Sequence, residues 1–262
     1  MPETVHVHLL PALVSPEALA GRTAVVIDVL RATTTIVTAL ASGAIEVIPC
    51  LEVEDARRLA AEDPEISVLG GERGGLRIEG FALGNSPAEY RAEVVGGKRV
   101  VFTTTNGTRA MMHCRGAQRV LVAAMVNFSA LCQELSRERH IDIVCAGTDG
   151  QVTREDTLLA GAIVEDLLTA RTGGDAWGHR SAAPSAVLND QAEIARDAWR
   201  AAVGTMTGHP LLASQMRRSL GGRNLIEIGQ ENDIDLAAQL DKFDLVAELD
   251  LPAWSIRRSG RR

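Results

Sequence analysis

Apolar residues along this chain fall into short runs separated by polar turns, and the runs change period. Ala24–Ile27 is a continuous apolar run that ends on Asp28, the pattern of a strand covered on both faces. Thr4–Leu10 alternates apolar and polar positions and predicts a first strand. Further strands are predicted at Ile45–Pro49, Ile66–Leu69, Arg99–Phe102, Arg119–Ala123 and Ile141–Cys145. Helical patterns lie between them. One covers Ala32–Ser42 with Gly43 as its left-handed terminator, and another covers Glu54–Glu62 and is stopped by Asp63-Pro64. Others run from the turn at Asn106 to about Arg115, over Phe128–Arg139, and from Thr153 to Leu168. Ser86, Pro87 and Glu89 read as an N-cap, a first helical position and a capping-box acid. Gly70–Gly80, with five glycines and four charged residues, reads as a loop. From about Arg180 the chain reads as mostly helical: Pro184–Val203 and Pro210–Leu220, separated by Gly204 and Gly208, then a short helix over Asp233–Leu240. No low-complexity linker interrupts it. The expectation is one α/β domain over residues 1–262, layered α/β/α around a largely parallel or mixed sheet, with the helical C-terminal region packed on it.

Two stretches echo each other. VVIDVLRATTT opens a strand–turn–helix–strand unit closing in GAIEVIP, and VVFTTTNGTRA opens a second closing in GAQRVLV. Each helix ends at a Gly-Ala pair, Gly43-Ala44 and Gly116-Ala117. Internal duplication and generic α/β construction account for this equally well. If the strands are parallel, both polar turns emerge on one edge of the sheet, where open α/β sheets place their sites.

Composition narrows the function classes. Aromatic residues make up only 3% of 262, so the core is aliphatic. A net charge of −7 without a long Lys/Arg run argues against nucleic acid as the main partner. No apolar run reaches the roughly 18 residues of a membrane span. The N-terminus lacks the basic and small-residue pattern of a signal peptide. Cys50, Cys114, Cys132 and Cys145 are scattered in apolar runs, which predicts buried thiols in a cytoplasmic protein. His6 and His8 share one face of the first strand; with no Cys or carboxylate nearby in sequence, they read as strand residues rather than metal ligands.

The polar turns carry the candidate chemistry. Arg31, Arg73, Arg77 and Arg109 can hold anionic oxygens, Thr33–Thr35, Thr103–Thr105 and Thr108 supply hydroxyls, and Asn106 supplies an amide. Asp28, Glu72, Glu79, Glu155 and Asp156 are acids in the same turns. Arginines beside acids suit a small polyanion held with a divalent cation such as Mg²⁺. Taken singly, each has a plainer role: Arg31 pairing with Asp28 or a helix end, the threonines packing and capping, Glu72 and Arg73 solvated loop charges, Thr153 and Asp156 a capping box. An Asp-x-Asp phosphatase motif fails at Leu30, no Cys-x5-Arg loop exists, and no phosphate loop of ATP-using proteins is present.

VIDVLRATTTIVTAL, GERGGLRIEGFALGNSPAEY, TTTNGTRA and CAGTDG…EDTLLAGAIVEDL together resemble the 2-phosphosulfolactate phosphatase family, the ComB proteins. The resemblance implies Mg²⁺-dependent hydrolysis of 2-phospho-3-sulfolactate to 3-sulfolactate and phosphate, a step of coenzyme M biosynthesis in archaea. Asp28, Glu72 and Asp156 or Glu155 are then the expected metal ligands. Arg31, Arg73, Asn106 and Arg109 are expected to hold anionic oxygens, with Thr33, Thr34, Thr104, Thr105 and Arg77 as further substrate donors. The nucleophile is metal-activated water or Asp28 itself. The resemblance departs at Val152-Thr153-Arg154, where the family has an aromatic-Ser pair, so an altered pocket wall is expected. Alternatives are a phosphatase of another small 2-phospho acid and a non-catalytic polyanion binder. A homo-oligomer is compatible with all three.

Overall fold

The protein, a computed structural model describing residues 2–169, 186–203 and 209–260, is built on one mixed sheet. Its strands are β1 (Thr4–His8), β2 (Thr23–Ile27), β3 (Glu46–Pro49), β4 (Ser67–Arg73), β5 (Leu76–Arg77), β6 (Arg99–Thr103), β7 (Arg119–Ala123), β8 (His140–Cys145), β9 (Val187–Leu188), β10 (Ala247–Asp250) and β11 (Ser255–Arg258). They lie in the order β5-β4-β6-β3-β11-β10-β7-β2-β8-β1-β9. The helices are α1 (Ala32–Ala41), α2 (Val53–Glu62), α3 (Ala92–Val95), α4 (Gly107–His113), α5 (Phe128–Leu135), α6 (Arg154–Thr169), α7 (Asp190–Val203), α8 (His209–Arg217), α9 (Leu220–Glu227) and α10 (Asn232–Ala237).

The layering follows from the period-two geometry of the strands. Val25 and Ile27 of β2 join a core with residues of α5, α6, α7 and α8, whereas Ala24 and Val26 join another with α1 and α4. Every residue of β2 is therefore buried, which accounts for its continuous apolar run. A smaller core places Val101 of β6 against Ala56 and Ala60 of α2.

The C-terminal region is not simply helical. β10 and β11 form an antiparallel hairpin in the middle of the sheet, between β3 and β7. Each strand has four residues, too short for a periodic signal, and Ala247, Leu249 and Ile256 enter the core while Glu248 reaches out to pair with Arg119. The topology is palindromic about this hairpin: β3 pairs in parallel with β6 and β7 with β2, so each echoing unit starts beside the end of the other. The two parallel groups run in opposite directions. The turns that follow β6 and β2 nevertheless meet: α4, which follows β6, packs on α1 and β2.

Other expectations need correction. Gly70–Arg73 belongs to β4, which turns through Gly74-Gly75 and returns as β5. Gly71 lies so close to Thr103 of β6 that a Cβ would sit 2.0 Å from its carbonyl oxygen, so glycine there allows the pairing. Pro87–Glu89 is a single 3-10 turn without a side-chain cap; the Glu89 carboxylate instead accepts from the Gly84 amide at 2.8 Å. Of the helix expected over 184–203, residues 184–185, like Gly204 and Gly208, lie outside the described residues; β9 precedes α7, which begins at Asp190. The helix expected to run to Leu220 ends at Arg217, and Ser219 caps a new one, α9, by accepting from Gly222 N at 3.0 Å. His6 and His8 do have a carboxylate: Asp142 of β8 approaches His8 Nε2 at 2.7 Å and also pairs with Arg22. All four cysteines are buried free thiols. No helix of the described residues is long and apolar enough to cross a membrane.

Candidate active site

The turn after β2 is held by its own hydroxyls. Thr33 N and Oγ1 both donate to the Asp28 carbonyl, at 2.9 and 2.8 Å, and Oγ1 accepts from Asp28 N at 3.1 Å. Thr34 Oγ1 donates to Val29 O and Thr35 Oγ1 to Asn85 O, each at 2.8 Å. Thr33 and Thr34, expected to donate to an anion, use their hydroxyl hydrogens on the backbone. Their effect is to point Asp28 into a cleft of about 410 Å³.

That cleft collects part of the expected set. Asp28, Arg31, Glu72, Thr105 and Asn106 line it, joined by Gly74 and Gly75 of the β4–β5 turn. Glu72 is fixed by two amides, Gly75 N on Oε2 at 2.7 Å and Thr105 N on Oε1 at 2.8 Å. Arg31 donates to Asp233 Oδ2 at 2.8 Å and to Gly75 O at 2.6 Å. Asn106 Oδ1 accepts from Asp149 N at 3.3 Å. Thr105 Oγ1 and Asn85 Oδ1 are buried without partners in the same wall.

Four expected anion binders are elsewhere. Arg73 donates to the carbonyls of Glu72 and Leu51 and to Thr103 Oγ1. Arg77 is exposed, 3.5 Å from Ala82 O, and Arg109 is exposed on α4. Thr104 is paired with Thr108 inside their turn. None of these lines the cleft. Val152, expected in the pocket wall, is 48% exposed and outside it. The wall that sequence reading missed comes from α9 and the residue that ends it: Gly221, Asn224 and Glu227, then Ile228. Its only sequence signal was Ser219 three residues before Gly222, a helix start with no hint of where it would dock.

Behind the cleft lie two more acids. Asp156, at the start of α6, accepts from Val29 N at 2.9 Å and Gly147 N at 3.0 Å. Glu155 packs against Gly221, and its Oε2 is buried without a partner. Burial pushes the Glu155 carboxyl up to about 8, with Asp156 adding to it, and burial pushes Asp156 up to about 6 against the pull of the two amides. Asp28 is raised well above the usual carboxylate range by burial and by the charges of Asp156, Glu72 and Glu155. Asp28, Glu72, Asp156 and Glu155 thus crowd one region and Asp149 and Glu227 also line the cleft, while Arg31, already paired, is the one arginine lining it among the described residues. Among the described residues, no three His, Cys, Asp or Glu side chains are grouped closely enough to hold a metal ion by themselves. Asp28 and Glu72, from the strand-end turns, and Asp149 and Glu227 put carboxylates on the cleft lining; Asp28 and Glu72 are hard oxygen donors that fit a small divalent cation completed by ligand or water oxygens.

The two strand-end turns touch at Gly107, where a Cβ would meet Ala32 Cβ at 2.6 Å and Asp28 Oδ2 at 2.8 Å. Gly107→Ala is expected to destabilise the fold by about 1–3 kcal/mol, as overpacking does, and to displace Asp28. Denaturant unfolding together with activity measurements checks this; wild-type values for both would show that the turns are loosely coupled.

Residues 8–251 match the family described as 2-phosphosulpholactate phosphatase. The chain belongs to that family. A protein of Symbiobacterium thermophilum is 43% identical over 232 residues, covering 88% of this chain and 92% of the relative. One of Thermotoga maritima is 40% identical, covering 87% and 89%, and one of Deinococcus radiodurans is 40% identical, covering 92% and 95%. Each is named a probable 2-phosphosulfolactate phosphatase. The family match extends past the strand-end turns to include α9, α10 and β10, so it spans both walls of the cleft.

Proposed function

We propose that this chain hydrolyses 2-phospho-3-sulfolactate to 3-sulfolactate and phosphate with Mg²⁺ as cofactor. The observation that carries the reading is the meeting of Asp28, Glu72 and Arg31 in one cleft of a chain from this family. Such a substrate carries phosphate, carboxylate and sulfonate, all anionic. Arg31 uses two of its five N–H groups within the protein, leaving three for an anionic oxygen. Thr105 Oγ1, a hydroxyl able to donate, is buried without a partner on the same wall. Asp28 and Glu72 would hold the cation; when bound, it would neutralise the acids and polarise a phosphoryl oxygen. Glu155 and Asp156 support the site from behind: Asp156 fixes the amides of Val29 and Gly147, the neighbours in sequence of the lining residues Asp28, Leu30 and Thr148. The buried free thiols support a reducing, cytoplasmic setting.

The test is phosphate release from 2-phospho-3-sulfolactate, its carboxylate analogue and 2-phosphoglycolate, with and without Mg²⁺. Release confined to the sulfonate and to added Mg²⁺ is expected. Faster release from a carboxylate would reassign the substrate. Tight binding with no release from any of them would leave a polyanion binder.

A further inference from the structure

Asp233 and Arg31 lie far apart in sequence and meet in the interior, 2% and 4% exposed. Arg31 Nη1 donates to Asp233 Oδ2 at 2.8 Å, and the other Asp233 oxygen accepts from Ser86 Oγ at 2.6 Å. On its other side Arg31 Nη2 donates to Gly75 O, whose own amide donates to Glu72; Glu72 in turn accepts from Thr105 N. A continuous path therefore runs Ser86–Asp233–Arg31–Gly75–Glu72–Thr105. It joins the C-terminal helix α10 to three separate strand-end turns. Asp233 is outside the cleft lining, so it reaches a ligand only through Arg31. An arginine stem has many rotamers, and the planar guanidinium delivers its N–H fork in a useful direction only when one edge is fixed.

We infer that Asp233 is a positioning residue: it fixes one edge of the Arg31 guanidinium so that the remaining N–H groups meet an anionic oxygen in the cleft. The role rests on the reading of the cleft as a phosphatase site, but its test includes an arm that does not require turnover. Inorganic phosphate binding by calorimetry, with kcat and KM for 2-phospho-3-sulfolactate, is measured on the full chain as wild type, Asp233→Asn, Arg31→Gln and the double variant. Asp233→Asn is expected to weaken phosphate binding and kcat/KM by at least about tenfold. Added to Arg31→Gln, it is expected to change either by less than about twofold, because the route through Arg31 is already gone. Asp233→Glu, which keeps the charge, recovers part of the loss and takes the place of Asp233→Asn in the cycle if that variant does not fold. Equal losses in both backgrounds, or wild-type binding by Asp233→Asn, would overturn the inference and leave Asp233 as a staple between α10 and the Ser86 turn. If the wild type binds phosphate but cleaves no phosphoester, the proposed activity fails while the binding cycle still decides the role of Asp233. Absence of phosphate binding by the wild type would overturn the positioning role as well.

Discussion

Asp28→Asn is expected to lower kcat by about 10²–10⁴-fold while leaving Tm unchanged or raising it. The two effects separate because Asp28 is a poor contributor to stability where it stands. It is buried at the end of β2, and the charges of Asp156, Glu72 and Glu155 oppose its ionisation. Asparagine keeps an oxygen for the Ala32 amide, which now bonds Oδ1 at 3.3 Å, and removes one repelling charge. Replacing an opposed buried charge by a neutral isostere is neutral or stabilising by about 1 kcal/mol or more. Function loses an oxygen donor that faces the cleft. Steady-state kinetics and thermal unfolding on the same sample provide the check. A large fall in Tm would make Asp28 a structural residue, and near-normal kcat would remove it from the site.

The metal-free protein is expected to lose stability as pH rises from about 5 to about 8, and Mg²⁺ is expected to restore it. Glu155 has its folded value at about 8 against 4.5 in the unfolded chain, and Asp156 at about 6 against 3.8. Folding therefore favours the protonated acids. Their contribution is complete below about pH 4 and is lost as pH climbs first through the Asp156 value and then through that of Glu155. The total is on the order of a few kcal/mol. The acids held below their usual range by arginine, such as Glu46 and Glu165, act at lower pH. His6, held below its ordinary value of 6.5 by burial, adds an opposing rise below that pH, against which the fall from Asp156 and Glu155 is read. A cation among the acids competes with their protons, so saturating Mg²⁺ should raise Tm more at pH 8 than at pH 5. Glu155→Gln should flatten the decline. Thermal melts across pH 5–8 with and without Mg²⁺ decide it: stability rising with pH in the metal-free protein, or no Mg²⁺ effect at pH 8, would contradict the expectation.

Glu72 and Arg73 show how far sequence alone reaches. Both stand in the glycine-rich stretch, and both were expected in the site. Adjacent residues of a strand point to opposite faces, so once Gly70-Gly71 pairs with β6 and Glu72-Arg73 with β5, Glu72 entering the cleft sends Arg73 away to Leu51 and Thr103. A loop assignment hides that constraint. Arg109 was similarly placed by its nearness to Asn106, yet it stands on the exposed side of α4.

What the sequence determined was local. A continuous apolar run such as Ala24–Ile27 needs cover on both faces, which dictates a central strand and an α/β/α arrangement, and the polar residues just after it must lie at a sheet edge. That was enough to name Asp28, Arg31, Glu72 and Asn106 as candidates, while the family came from the resemblance of four motif blocks. What only the tertiary structure decided was which of these groups meet. The β2 and β6 turns meet at Gly107, the β10–β11 hairpin sets the palindromic order, α9 brings Asn224 to the cleft and α10 brings Asp233 to Arg31 behind its lining. These contacts join segments distant in sequence through packing and hydrogen bonds, and short-range periodicity carries no record of them.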